Sequence, residues 1–290
     1  MRESRPRVFT VRILLLAFVL LFSFTLPACA GGDLRGYSQA DGYVYVRLGQ
    51  YPQTAEGEIQ PILWRVLAAD DSQCILLSEY ILFARCMNAS LLDYRDEFRG
   101  DFAKTDLCAY LNGDFASSAF TEEELSLLLP LRDYGKIFIP SEDDLKNKEY
   151  GLGVTVKGIR NTKKILKEPG LRAWGTEWAV KNNGFDPSEY SNPKQKLTGS
   201  SKKEMPLREL RLFVYSSNWA GHSPYWTRDA SATDGRQART IKSTGSIGRL
   251  EVGRDNIGVR PMILLAPDRC KIISGSGTTD DPFVLAGQPE

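Results

Sequence analysis

Ile62-Leu63-Trp64-Arg65-Val66-Leu67, Asp70-Asp71-Ser72 and Cys74-Ile75-Leu76-Leu77-Ser78 follow one another along the chain. The two apolar runs are short and turn-forming residues lie between them, so they read as consecutive strands. Upstream, Tyr43-Val44-Tyr45-Val46-Arg47-Leu48 alternates as a half-buried strand does. Gly49-Gln50-Tyr51-Pro52-Gln53 punctuates it. The folded part of the chain therefore opens as an antiparallel unit.

Helical signals come next. Asp106 to Asn112 places Leu107, Tyr110 and Leu111 on one face, and Gly113 is expected to end the helix. Thr121-Glu122-Glu123-Glu124 has the spacing of a capping box. Ile137-Phe138-Ile139 is a further short strand. Ser141 caps a helix whose first turn holds Glu142, Asp143 and Asp144, a favourable place for negative charge. Capping accounts for those acids without a catalytic or metal role. Lys157 to Lys167 and Lys194 to Lys203 read as basic, solvated insertions. Four of the five tryptophans, Trp174, Trp178, Trp219 and Trp226, fall late in the chain among many glycines. That composition fits long loops joined by short strands. Ile263-Leu264-Leu265 and Pro282-Phe283-Val284-Leu285 close the pattern.

The N-terminus carries an address. Arg2, Arg5, Arg7 and Arg12 precede a nearly unbroken apolar run from Ile13 to Leu26, and Leu26-Pro27-Ala28-Cys29 follows. This is the layout of a bacterial export signal. Leu at −3, Ala at −1 and Cys at +1 resemble a lipobox, with Pro27 as the departure. Residues 1–28 are therefore expected to be a lipoprotein signal peptide, Cys29 the lipidated residue, and residues 29–42 a tether. The expected location is extracytoplasmic, anchored on a membrane. The alternative is ordinary cleavage after Ala30, which would secrete the protein.

Of 290 residues, 42% are hydrophobic and 25% charged, ordinary values for a globular chain. The leader holds four Arg and one Glu; this leaves 33 basic and 35 acidic residues, a net charge near −2. Such a balance gives no bulk electrostatic case for nucleic acid. Beyond Cys29 lie Cys74, Cys86, Cys108 and Cys270, with no C-x-x-C spacing. Two disulfides are permitted, Cys86–Cys108 among the pairings, but buried free thiols are the simpler reading.

The segments also stand in a particular order. Leu48-Gly49-Gln50-Tyr51-Pro52-Gln53-Thr54 precedes Ile62–Leu67, then come Leu76-Leu77-Ser78-Glu79-Tyr80-Ile81-Leu82 and Leu107-Cys108-Ala109-Tyr110-Leu111-Asn112. Lys136-Ile137-Phe138-Ile139-Pro140-Ser141, Trp226-Thr227-Arg228 and Gly258-Val259-Arg260-Pro261 follow. Together they resemble the bacterial family known as domain of unknown function 6273, over about Tyr43 to Ala266. That family is similar in outline to the C-type-lectin-like fold shared with the formylglycine-generating enzymes. The resemblance implies an α+β domain of twisted antiparallel strands, flanking helices and long loops, spanning 43–268 with insertions near 150–210. A C-terminal strand tail, 269–290, follows it. The chain departs from the family pattern at Cys108 and Tyr110 and in its basic insertions. The resemblance implies no assigned activity.

Little in the sequence points to chemistry. His222, in Gly221-His222-Ser223, is the single histidine, too few for a His-rich metal site and without a nucleophile-elbow pattern. A formylglycine-generating oxidase needs a close thiol pair for copper, and the C-terminal half holds only Cys270. Asp229, Asp234 and Asp255 with Asn256 match no compact calcium loop. No cofactor or metal is expected. The reading is a non-catalytic, lipid-anchored binding or interaction module. Its partners are a membrane, through the anchor, and an envelope polymer, glycan or protein ligand. The alternative is an enzyme on the same scaffold, related to the formylglycine-generating, sulfatase-modifying group. Irregular, aromatic-rich segments carry binding groups, so the ligand face is expected within Trp174 to Asp255, with Trp219, His222, Tyr225 and Arg228 as its residues. Trp64 and Trp226 are expected in the core, in one cluster with Phe138 and Val259. Arg228 and Arg260 also suit bonds to loop carbonyls or an acidic partner.

Overall fold

The computed structural model describes residues 34–35, 43–89, 101–152, 171–182, 223–242 and 245–287. Strands β1 (Tyr45–Pro52), β2 (Ile59–Ala69) and β3 (Cys74–Ser78) form the expected antiparallel opening, with Val46 opposite Trp64 and Trp64 opposite Ser78. The β2–β3 turn follows from Asp70: one carboxylate oxygen accepts the amides of Ser72 and Gln73 at 2.7 and 2.9 Å. β1 does not stop at Gly49, as its punctuation predicted. A bulge between Arg47 and Gln50 absorbs Gly49, at φ 64°, and pairing resumes through Pro52. The Gly49 amide is held by Glu124 Oε1 at 2.9 Å, which fixes the bulge against the helical layer.

That layer begins with α1 (Asp106–Tyr110), capped by Thr105, whose hydroxyl accepts the Cys108 amide at 3.1 Å. Gly113 does not end the helix. A π-helical turn over Leu111–Phe115 carries it into α2 (Ala116–Ala119), and the chain turns extended only at Phe120. The reason is local: Gly113 is not among the positive-φ glycines, and Asn112 ties this turn in place. The Asn112 amide donates to the carbonyls of Cys108, Tyr134 and Ile137, and its oxygen accepts from the amides of Lys136 and Ile137. The capping box at Thr121 is present, with both reciprocal bonds, and starts α3 (Glu122–Leu127). Ser141 and Asp144 form a second box at the start of α4 (Glu142–Lys146).

The remaining elements are β4 (Phe83–Ala84), β5 (Leu128–Leu129), β6 (Ile137–Phe138), α5 (Glu177–Asn182), β7 (Tyr225–Ala230), β8 (Gln237–Ile241), β9 (Ile247–Glu251), β10 (Gly258–Val259), β11 (Met262–Leu265), β12 (Cys270–Ser274) and β13 (Phe283–Gly287). They assemble into two sheets. The first runs β12-β13-β1-β2-β3-β11-β5, with β6 beside β11; the second runs β4-β10-β7-β8-β9. The fold is thus mixed α+β, mostly strand with few short helices. The described part of 225–251, expected as loops and short strands, is a regular antiparallel meander of β7, β8 and β9. The tail strand β13 lies within the first sheet, parallel to β1, with Phe283 opposite Val46. Among the described residues no helix is long and apolar enough to cross a membrane.

Trp64, Phe138, Trp226 and Val259 join one buried cluster that spans both sheets. Each indole nitrogen is satisfied: Trp64 Nε1 donates to Leu48 O and Trp226 Nε1 to Arg85 O, both at 2.8 Å. Two guanidinium groups are buried as structural ties. Arg65 makes a two-pronged bond to Glu79, at 2.8 and 2.7 Å, and lies over the Tyr43 ring. Arg260, 2% exposed, donates from Nε to Ser78 O at 2.8 Å, a bond to a carbonyl of the kind its sequence context suggested. Cys74, Cys86, Cys108 and Cys270 are all free thiols, so the Cys86–Cys108 bridge is not formed.

Candidate functional site

Of the four residues singled out for the ligand face, Trp219 and His222 lie outside the described residues. Tyr225 belongs to the core rather than to a ligand face. It is 0% exposed, its hydroxyl donates to Leu171 O at 2.7 Å, and Arg260 lies over its ring. Register decides this: Tyr225 stands opposite Ile241, directly opposed residues share a face of the sheet, and Ile241 is fully buried. Of the other tryptophans expected near this face, Trp174 and Trp178 are half-buried.

Arg228 is the residue that reaches a site. It sits on β7 as that strand leaves the core, and its amide donates to Pro140 O at 3.0 Å. Its Nη1 is 2.8 Å from Ile139 O and 2.7 Å from the Asp144 carboxylate. Tyr134 and Phe138 each lie with ring centroids 5.7 Å from its guanidinium carbon. The next residue, Asp229, accepts the Glu142 amide at 2.7 Å and so adds a second cap to α4. Glu142 in turn binds Lys146 at 2.7 Å and Arg239 of β8. The α4 acids predicted from their capping positions are thus also the clamp that holds β7 and β8 in place. Burial pushes the Glu142 carboxyl up, but bonds from Lys146 and Arg239 outweigh it, and its pKa lies below the usual 4.5.

Beside Arg228 the chain opens a cleft of about 910 Å³ lined by Tyr134, Arg228, Asp229 and the β7–β8 turn, Ala230 to Arg236. A second hollow of about 460 Å³ shares Asp229 to Thr233 and adds Glu142, Asp143, Arg239 and Arg249. The turn is built by its own polar side chains. Asp234 accepts the Arg236 amide at 3.0 Å, the Gln237 amide bonds Asp234 O at 3.0 Å, and Arg249 Nη1 donates to Thr233 Oγ1 at 2.5 Å. The result is a polar trough walled by Tyr134, in which Arg228, Arg236 and Arg239 are paired with acids and Arg249 with a hydroxyl. It offers hydroxyls, a carboxylate and guanidinium edges to a polar ligand. Asp229 and Asp234, weighed as calcium ligands, serve as a helix cap and a turn former. Among the described residues no three of His, Cys, Asp and Glu converge as a metal site would require.

Sequence reading missed Tyr134, Arg236, Arg239 and Arg249. Tyr134 lies nearly a hundred residues before β7, in a short turn with no pattern of its own. Arg236 lies in the β7–β8 turn, and Arg239 and Arg249 stand opposite each other on strands whose polar side reads as any solvated face. The thiols offer no second site. Burial pushes up Cys74, and pushes Cys108 and Cys270 up to about 11, where the nucleophilic thiolate is scarce at neutral pH. Compared with protein-family models, curated proteins and solved structures, the chain matches none of them.

Proposed function

We propose that this chain is an extracytoplasmic binding module, lipid-anchored through Cys29, with a C-type-lectin-like domain of the family known as domain of unknown function 6273. Its ligand face includes the trough beside Arg228. The observation that carries the reading is that trough: a large polar concavity, walled by Tyr134, in which α4 fixes Arg228 and Asp229 in advance and the turn pairs Arg236 with Asp234. Fixed polar groups lower the ordering cost of binding. A hydroxyl-rich ligand such as a glycan or envelope polymer suits them, because it exchanges hydrogen bonds with paired charges and lays an apolar ring face on an aromatic side chain. The segment order described above supports the family and fold, and the leader supports the anchor. Nothing in the described thiols favours an oxidase on the same scaffold.

A screen of glycans and envelope polymers against the full chain tests the reading. A ligand should emerge whose affinity falls at least about tenfold, the loss of one charged hydrogen bond or ring contact, on Tyr134→Ala or Arg236→Ala, with the melting temperature kept. Binding that is indifferent to both changes would place the ligand elsewhere. For the anchor, Cys29→Ser should abolish lipid incorporation and membrane retention, since stable attachment needs more than one chain or signal. A wild-type protein recovered soluble without Ala30 would mean ordinary secretion.

A further inference from the structure

Arg85 lies outside the trough, and among the described residues no acid pairs with it. It follows β4, and its backbone is fully used: the amide donates to Ile257 O at 3.0 Å and the carbonyl accepts Trp226 Nε1. Its guanidinium carbon lies 3.9 Å from the centroid of the Tyr110 ring, a close cation–π contact. Phe83 meets Tyr110 edge-on, with centroids 5.5 Å apart, and Tyr51 packs on Phe83 at 5.7 Å. Burial, with the neighbouring Tyr110, pushes the Tyr51 hydroxyl up, so it remains a neutral donor. Of the guanidinium nitrogens, only Nε is both sealed from solvent and unbonded. The terminal nitrogens reach the surface, and among the described residues none of them meets a carboxylate. A half-buried cation that keeps one donor unsatisfied is costly. Arg65 and Arg228 are each matched by an acid, and the buried Arg260 bonds a carbonyl through Nε, the nitrogen left unbonded in Arg85.

We propose that Arg85, backed by Tyr110 and rimmed by Tyr51, is a binding site for a carboxylate, which engages the terminal guanidinium nitrogens end-on and takes a hydrogen bond from a tyrosine hydroxyl. One guanidinium carries one positive charge, which suits a carboxylate monoanion rather than a phosphate dianion. The site is separate from the trough and does not depend on it.

Calorimetric titration of the full chain in detergent, with acetate, glucuronate, the neutral methyl ester of glucuronate and inorganic phosphate, tests this. Acetate and glucuronate should bind saturably and compete for one site, while the ester should not bind. Arg85→Gln should weaken glucuronate at least about tenfold. Arg85→Lys, which keeps the charge and guards against a folding defect, should melt like wild type and bind more weakly, because a lysine cannot offer a forked pair of donors. Equal binding by wild type and Arg85→Lys, absence of saturable carboxylate binding, or binding of phosphate in preference to glucuronate would each overturn the proposal.

Discussion

At the residue scale, the side chains that matter most are large groups buried with their polar atoms satisfied. Trp226 fills the second sheet's share of the core and bonds Arg85 O, so Trp226→Ala should cost about 3–5 kcal/mol in urea unfolding. The Arg65–Glu79 pair is a different case. Glu79→Leu alone strands a buried guanidinium and should cost about 3–5 kcal/mol, whereas Arg65→Met with Glu79→Leu should cost much less. Equal losses in the single and double variants would mean that the pair is not what holds this region. Glu142 makes a pH prediction. Its folded pKa lies below the usual 4.5, so its stabilising bonds are complete above that value and are lost as pH falls through the lower, folded one. The stability gap between wild type and Glu142→Gln should therefore be constant near neutrality and narrow below about pH 4.5 in denaturant titrations.

At the element scale, two glycines that each read as the end of an element behave in opposite ways. Gly113 lies inside a continuous helix, and a Cβ placed there meets nothing within 4 Å. Gly113→Ala should raise stability by about 0.5–1 kcal/mol, read as a higher urea midpoint, because alanine loses less backbone freedom in a helix. Gly49 sits at φ 64°, and a Cβ would lie 2.8 Å from the Ala119 carbonyl oxygen. Gly49→Ala should destabilise by more than about 1 kcal/mol, from strain and from the backbone clash. Both glycines read in the sequence as element ends. The capping boxes were legible where these were not, because a cap is a local reciprocal bond that depends on residues three apart. Whether a glycine ends an element depends on its dihedral angles, and those are set by contacts with distant segments: Tyr134 and Ile137, bonded by Asn112 beside Gly113, and Glu124, bonded by the Gly49 amide.

At the scale of the whole molecule, one core spans both sheets, through Trp64 and Phe138 in the first and Trp226 and Val259 in the second. Hydrogen exchange on β2 and on β8 should therefore report the same opening free energy, and Trp226→Ala should lower both together; a loss confined to β8 would mean that the sheets unfold separately. The opening meander, the helix caps, the final strands and the burial of Trp64 and Trp226 were legible in the sequence, because strand alternation, turn chemistry and capping act over a few residues. The sequence also singled out Arg228, which lines the cleft. Packing between distant segments turns Tyr225 inward, inserts β13 beside β1, and sets Tyr134 in the cleft next to the hollow lined by Glu142 and the arginines of β8 and β9. The physical reason is range: side-chain periodicity tells which face of a strand is apolar, but which face meets solvent, and what stands opposite it, is settled by packing between segments far apart in the chain.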